Sequence, residues 1–194
     1  MQAHDQEQAP EAVAAHDAHE LRHAGAGEVG SQAGGQAGEQ VAGQVVIAGE
    51  KAAVERAIEL AKEKGCKKAI PLPVSVPVHT PLMQKAANRL AADLAAVRWS
   101  DLRAPLVNNA EARAISRAAE IQPSLVRQLP SSVLWEDSVR AMRKMGVTTF
   151  IEVGPGTVLT GLIKRILPDT KLLNVNDPKS LEVTLHSLKA VNES

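Results

Sequence analysis

"GQVVIAGEKAAVERAIELAKEKGCKKAIPLPVSVPVHTP", residues 43–81, decides the fold, because its apolar period changes twice within one short stretch. "GQVVIAG", residues 43–49, is a β-branched run between glycines and predicts a buried strand. In "EKAAVERAIELAKEKG", residues 50–65, Val54, Ile58 and Ala61 recur at helical spacing and Gly65 supplies a stop, so an amphipathic helix follows. "KKAIPLPVSVPVH" carries prolines at 71, 73 and 77, which forbid a helix and bias their predecessors to extended backbone. The segment reads strand, helix, strand.

Downstream, Thr80 is a capping residue and Pro81 opens a helix whose Leu82, Ala86, Leu90, Leu94 and Val97 predict one buried face. "APLVNNA" predicts a short strand and turn, and residues 124–129 and 131–145 predict two helical stretches, the second stopped by Gly146. A strand in "VTTFIEVGPG", a helix over 155–167, a strand in "TKLLNVN" and a closing helix from Pro178 complete the pattern. Such alternation predicts an α/β layer architecture with a mostly parallel sheet.

Upstream the composition changes. Residues 1–43 are Ala, Gly, Gln, Glu and His, with Leu21 and three valines as the only large aliphatics apart from Met1. They predict a low-complexity tail, disordered or weakly helical around Val13 and Leu21, because too little apolar surface is present to offset ordering. The whole chain has 22 basic and 22 acidic residues, which excludes a global field drawing it to nucleic acid or anionic lipid. A single cysteine excludes an internal disulfide framework, no apolar run approaches the roughly 20 residues of a membrane span, and no secretory start is present. A cytoplasmic protein is the expectation.

Two motifs suggest chemistry and fail on their surroundings. "HELRH" puts His19 and His23 one helical turn apart around Glu20, the spacing of a zinc hydrolase. The glycine-rich run after it cannot continue a helix, and Ala26 and Val29 stand where the extended motif needs glycine and histidine. "GPGTVLTG" has Gly154 and Gly156 but Leu159 in place of the third glycine of a dinucleotide loop. Leu162 and Ile163 stand where a P-loop needs Lys and Ser or Thr, so a tight strand-to-helix turn is expected.

His79 lies at the end of extended chain and before a helix, the usual place for catalytic groups in α/β sheets. "LPVSVPVHTPLM", "VNN", "LVRQL", "VLW" and "EVGPGTVLTGLIKR", in this order, resemble the C-terminal part of the malonyl-CoA:acyl carrier protein transacylases over residues 44 to about 191. The resemblance implies a partial α/β-hydrolase-like acyltransferase core over residues 75–194. It also implies the second half of a small ferredoxin-like subdomain over residues 44–74, behind a tail at 1–43. It implies a Ser-His ping-pong transfer of malonyl from coenzyme A to acyl carrier protein in fatty-acid biosynthesis. His79 would be the general acid/base, with the backbone carbonyl of Gln128 orienting its ring. No cofactor or metal is implied; malonyl-CoA is the substrate and acyl carrier protein the partner.

The nucleophile is missing from this sequence. No G-x-S-x-G occurs: Ser31 has Val29 and Ala33 where glycines belong, and Ser75 lies inside the histidine box. Cys66 sits among Lys64, Lys67 and Lys68, yet no base is placed beside it and it reads as an exposed thiol at a helix end. The expectation is a fragment inactive by itself, with residues 1 to about 42 an out-of-frame run joined near Gly43. Two alternatives remain: a carrier-protein-binding module using "KEKGCKK", Arg98, Arg103 and Arg113, and the zinc hydrolase.

Overall fold

The computed structural model describes residues 10–16, 36–41, 44–72 and 76–192. Residues cluster into two compact units, Met1–Ser138 and Val139–Ser194.

In the first unit, strands β1 (Pro10–His16), β2 (Gln36–Val41), β3 (Gln44–Glu50) and β4 (Lys68–Leu72) form one sheet in the order β2-β3-β1-β4. Every neighbouring pair is antiparallel. Helix α1 (Lys51–Glu63) lays Val54, Ala57 and Ala61 against Val45 and Ile47 of β3, and these side chains make one buried cluster. Val54 is fully buried, which stabilises the unit by about 1.5–3 kcal/mol relative to leaving it in water. Pro71, which cannot donate to a ladder, is placed on β4 at the sheet's edge, where the omission is tolerated.

The expected half sheet is therefore four strands, and the expected tail supplies two of them. Seven residues of β1 pair with β3 and five with β4, so β1 lies between them with ladder partners on both sides. Val13, expected in a weak helix, pairs with Ile47 and Pro71. Local propensity gave no strand signal here; the open edges of β3 and β4 impose the conformation. Residues 17–35, including His19, Glu20 and His23, lie outside the described residues.

Cys66 also departs from expectation, being buried. Gly65 at φ +86° reverses the chain after α1, the Gly65 N–H donates to Lys62 O at 3.0 Å and the Cys66 N–H to Ala61 O at 2.9 Å. This pair of bonds is a Schellman turn, and it swings Cys66 back onto Ala61 in the core cluster.

A 3₁₀ turn (Pro81–Met83) leads into α2 (Gln84–Leu94). Its expected buried face is only half covered: Leu82 and Val97 are exposed, and the fully buried residue is Ala87. Strands β5 (Leu106–Val107) and β6 (Ala114–Ile115) form a short antiparallel hairpin. Helix α3 (Ala118–Gln128) begins six residues before the expected start at 124. Pro123 lies inside this helix. The Asp101 carboxylate accepts the Ala118 N–H at 2.8 Å and Glu120 accepts the Arg117 N–H at 3.3 Å, capping a turn ahead of the proline. Helix α4 (Trp135–Lys144) contains the unit boundary.

In the second unit, β7 (Thr149–Val153), α5 (Val158–Ile166) and β8 (Lys171–Val175) are strand, helix and parallel strand, closed by α6 (Pro178–Asn192). Phe150, Leu162, Ile163 and Ile166 are buried, whereas Val153 and Val158 are exposed. A parallel pair needs a crossover, and β7-α5-β8 is the one that forms it among the described residues. The mostly parallel sheet expected from the alternation is thus corrected: among the described residues there is one parallel pair, and the two other sheets are antiparallel. No helix among the described residues is long and apolar enough to cross a membrane.

Candidate active site around His79

His79 lies on a turn fixed from both sides. The Thr80 hydroxyl, fully buried, donates to Pro77 O at 2.7 Å, and the Met83 N–H donates to Thr80 O at 3.0 Å. Between them His79 has φ +64°, a left-handed conformation that costs an L-residue about 1–2 kcal/mol. Its N–H donates to Leu129 O at 2.9 Å, which helps hold the strained residue in place.

The ring is held by the same stretch of chain, with Nδ1 3.0 Å from the carbonyl oxygen of Gln128. A carbonyl can only accept, so Nδ1 carries the hydrogen and the neutral ring keeps its lone pair on Nε2. Gln128 ends α3, where the last four carbonyls lack intrahelical partners, and one of them is used here. His79 and Gln128, 49 residues apart and paired by the resemblance, are brought together at this contact. Ser75 and Ser31 lie outside the described residues.

Arg113, expected as part of a basic surface, belongs instead to a charged cluster beside α3 whose other members were not singled out by the sequence. Asn108, buried in the turn after β5, donates through Nδ2 to Glu111 Oε2 at 3.0 Å and accepts the Glu111 N–H on Oδ1 at 2.7 Å. Glu111 pairs with Arg127 and, at 3.5 Å, with Arg113, whose Nη1 reaches Glu120 Oε1 at 2.8 Å. The Asn108 hydrogen bond chiefly holds the Glu111 carboxyl below its ordinary range, with Arg127 and Arg113 adding to it against the opposing effect of burial. Glu120 is lowered chiefly by its bond from Arg113, and Arg113 is raised chiefly by the same bond. "VNN" was the available signal, but nothing in its spacing points to Arg127.

The glycine turn after β7 is the expected strand-to-helix turn, with Gly154 at φ +143° and Gly156 at φ +84°. The Glu152 carboxylate occupies the start of α5: it accepts the N–H groups of Leu159 at 3.0 Å and Thr160 at 2.7 Å, and the Thr160 hydroxyl at 2.6 Å. Burial pushes the Glu152 carboxyl up, but these bonds with that from Val158 outweigh it and leave it lowered. The amides a phosphate would need are already taken by a carboxylate. A cavity of 360 Å³ in the second unit is lined by Leu172, Leu173, Asp177, Ser180 and Val183 among others. Its Asp177 accepts the Ser180 N–H at 2.7 Å as the cap of α6. No group of three or more His, Cys, Asp or Glu among the described residues could hold a metal ion.

Comparison with known proteins gives no matching family model. The malonyl CoA-acyl carrier protein transacylase of Bacillus subtilis is 43% identical over 112 residues, 58% of this chain and 35% of that protein. The chain thus spans about a third of the length of the curated relatives it matches. The crystal structure of the malonyl-CoA:acyl carrier protein transacylase of Xanthomonas oryzae pv. oryzae matches with a TM-score of 0.83 at 37% identity, covering 92% of this chain and 58% of that one. A malonyl-transacylase in complex with its type II polyketide acyl-carrier protein matches with a TM-score of 0.83 at 38% identity, over 93% of this chain and 59% of the other.

Proposed function

From the premise that the chain belongs, over the part it spans, to the malonyl-CoA:acyl carrier protein transacylase family, we propose that it is the base-bearing portion of an S-malonyltransferase. The observation that carries this is the His79 ring held by Nδ1 on a main-chain carbonyl, with Nε2 left as a proton acceptor. A serine hydroxyl is a poor nucleophile until such a group removes its proton. In the first half-reaction Nε2 takes that proton as the serine oxygen attacks the malonyl thioester carbonyl, and returns it to the departing coenzyme A sulfur. In the second, Nε2 takes the proton of the carrier protein's phosphopantetheine thiol as its sulfur attacks the malonyl ester, and returns it to the serine oxygen. The product is malonyl-acyl carrier protein.

The serine belongs to a segment this sequence does not contain, since no G-x-S-x-G occurs in its 194 residues. The exposed Val153 and Val158 support the reading that further chain packs on the second unit. The order β2-β3-β1-β4 supports a ferredoxin-like small subdomain complete in its strands, with β1 and β2 in place of an out-of-frame tail. The remainder would be the C-terminal part of the α/β-hydrolase-like acyltransferase core.

The test combines the full chain with the separately produced nucleophile-bearing first part of the Bacillus subtilis relative, malonyl-CoA and carrier protein, reading malonyl-carrier protein by mass spectrometry. Transfer is expected only in the combination, falling by about 10²–10⁴-fold with His79→Ala. Equal transfer by the variant, or none from a stable complex of the two parts, overturns the proposal. Carrier-protein binding without transfer would replace it with a binding module.

A further inference from the structure

The cluster around Glu111 contributes little to stability by its ion pairs alone, because Arg113 and Arg127 are about half exposed and such pairs are weak in water. Its placement is more informative. Arg127 immediately precedes Gln128 at the end of α3, and Glu111 connects it to a turn anchored in the interior. That turn is closed by the Asn108 N–H donating to Arg113 O at 3.2 Å and the Ala112 N–H donating to Asn108 O at 3.1 Å. The Ser138 hydroxyl also reaches Asn108 O at 3.3 Å. On the opposite side, the Gln122 side chain donates to Ala91 O at 3.2 Å, tying the middle of α3 to α2. Helix ends fray unless something holds the last turn. Here the last turn carries the carbonyl that selects which ring nitrogen of His79 bears the hydrogen.

We infer that Glu111 is a positioning residue: through Arg127 it sets the place of the Gln128 carbonyl and thereby keeps His79 in its Nδ1–H form. The inference rests on the transfer reading only for its significance, because the tautomer exists without substrate. It acts through main chain, so the identity of the Gln128 side chain is immaterial while the charge at 111 and the reach of residue 127 are not.

The test is nitrogen-15 NMR of the imidazoles in the full chain, with the His79 signals assigned by their loss in His79→Ala. Wild type is expected to be dominated by Nδ1–H. Glu111→Gln and Arg127→Met should each lower the Nδ1–H to Nε2–H ratio about fivefold, the scale of one weakened neutral hydrogen bond. Arg127→Lys, which keeps the charge, should stay close to wild type. Glu152→Ala, which removes a helix cap in the other unit, should leave the ratio unchanged. An unchanged ratio in folded Glu111→Gln and Arg127→Met overturns the inference, as does an equal shift in Glu152→Ala. If Glu111→Gln does not fold, Arg127→Met decides; if neither folds, Glu111 is structural and the inference fails. A shift in tautomer with no transfer in the combined assay would refute the transfer reading and leave the positioning role standing.

Discussion

Glu152→Ala tests whether the glycine turn is a helix cap by construction. The substitution removes an acceptor of three hydrogen bonds, from the amides of Leu159 and Thr160 and from the Thr160 hydroxyl. Bonds to a charged group contribute about 1.5–3 kcal/mol each when counted singly, but the Thr160 hydroxyl can turn to water and the two amides sit in one exposed first turn. A cap loss of about 2 kcal/mol, the upper end for such residues, is the working magnitude. At about 1.4 kcal/mol per tenfold, this is roughly 30-fold faster exchange of those two amides. Amide hydrogen exchange by NMR reads it directly, with Phe150 in β7 as an internal reference. Glu152→Gln keeps an acceptor oxygen and loses the charge, so it should fall between. The pH dependence has a definite sign. Because the folded carboxyl lies below its ordinary range, the protection is complete above that range and is lost as pH falls through the depressed value. Wild type and Glu152→Ala should therefore converge in acid. Exchange at Leu159 and Thr160 within twofold of wild type at neutral pH would refute the capping account.

Three further outcomes are expected. Gln128→Ala should leave malonyl transfer in the combined assay within about threefold, since only its carbonyl touches His79; loss of transfer with the fold intact would show that the side chain matters. Ala112→Gly should stabilise the first unit by about 0.5–1 kcal/mol in urea unfolding, because Ala112 has φ +51°, a region that penalises a Cβ; destabilisation would contradict this. Cys66 should react with a thiol reagent at least about 100-fold more slowly in the native chain than in urea, and near-equal rates would place it back on the surface.

The fold was legible where side chains carry a period. The β-branched run of β3 and the Val54, Ile58, Ala61 stripe of α1 declared themselves, as did the strand-helix-strand of β7, α5 and β8, because each buries one face in a regular pattern. What was hidden depends on partners distant in the chain. Pro10–His16 has the composition of a tail and becomes a strand because β3 and β4 each present it a row of unpaired main-chain groups. The start of α3 was hidden because its cap is Asp101, seventeen residues before Ala118. At the candidate site, the turn holding His79 was singled out by its neighbours along the chain. The tie from Glu111 to Arg127 was not, since sixteen residues separate them and only the folded hairpin brings the two charges together.

The place of β1 in the middle of its sheet also sets the order of events as the chain is made. β2 and β3 are separated by two residues and can close as soon as both emerge, on the microsecond scale of a hairpin. Of this sheet's four strands β1 is made before the others and pairs with β4, which is made after them, so Ala12 must wait for Leu72. From His16 the chain must grow by about 56 residues to reach Leu72, which takes about 3–11 s at roughly 5–20 residues per second. For that interval β1 has one sheet neighbour at most, and the "VVIA" run of β3 is held by whatever pairing has formed. A ribosome that stalls between residues 50 and 68 would therefore present an apolar half-sheet with an open edge, the form most prone to capture a second copy of itself.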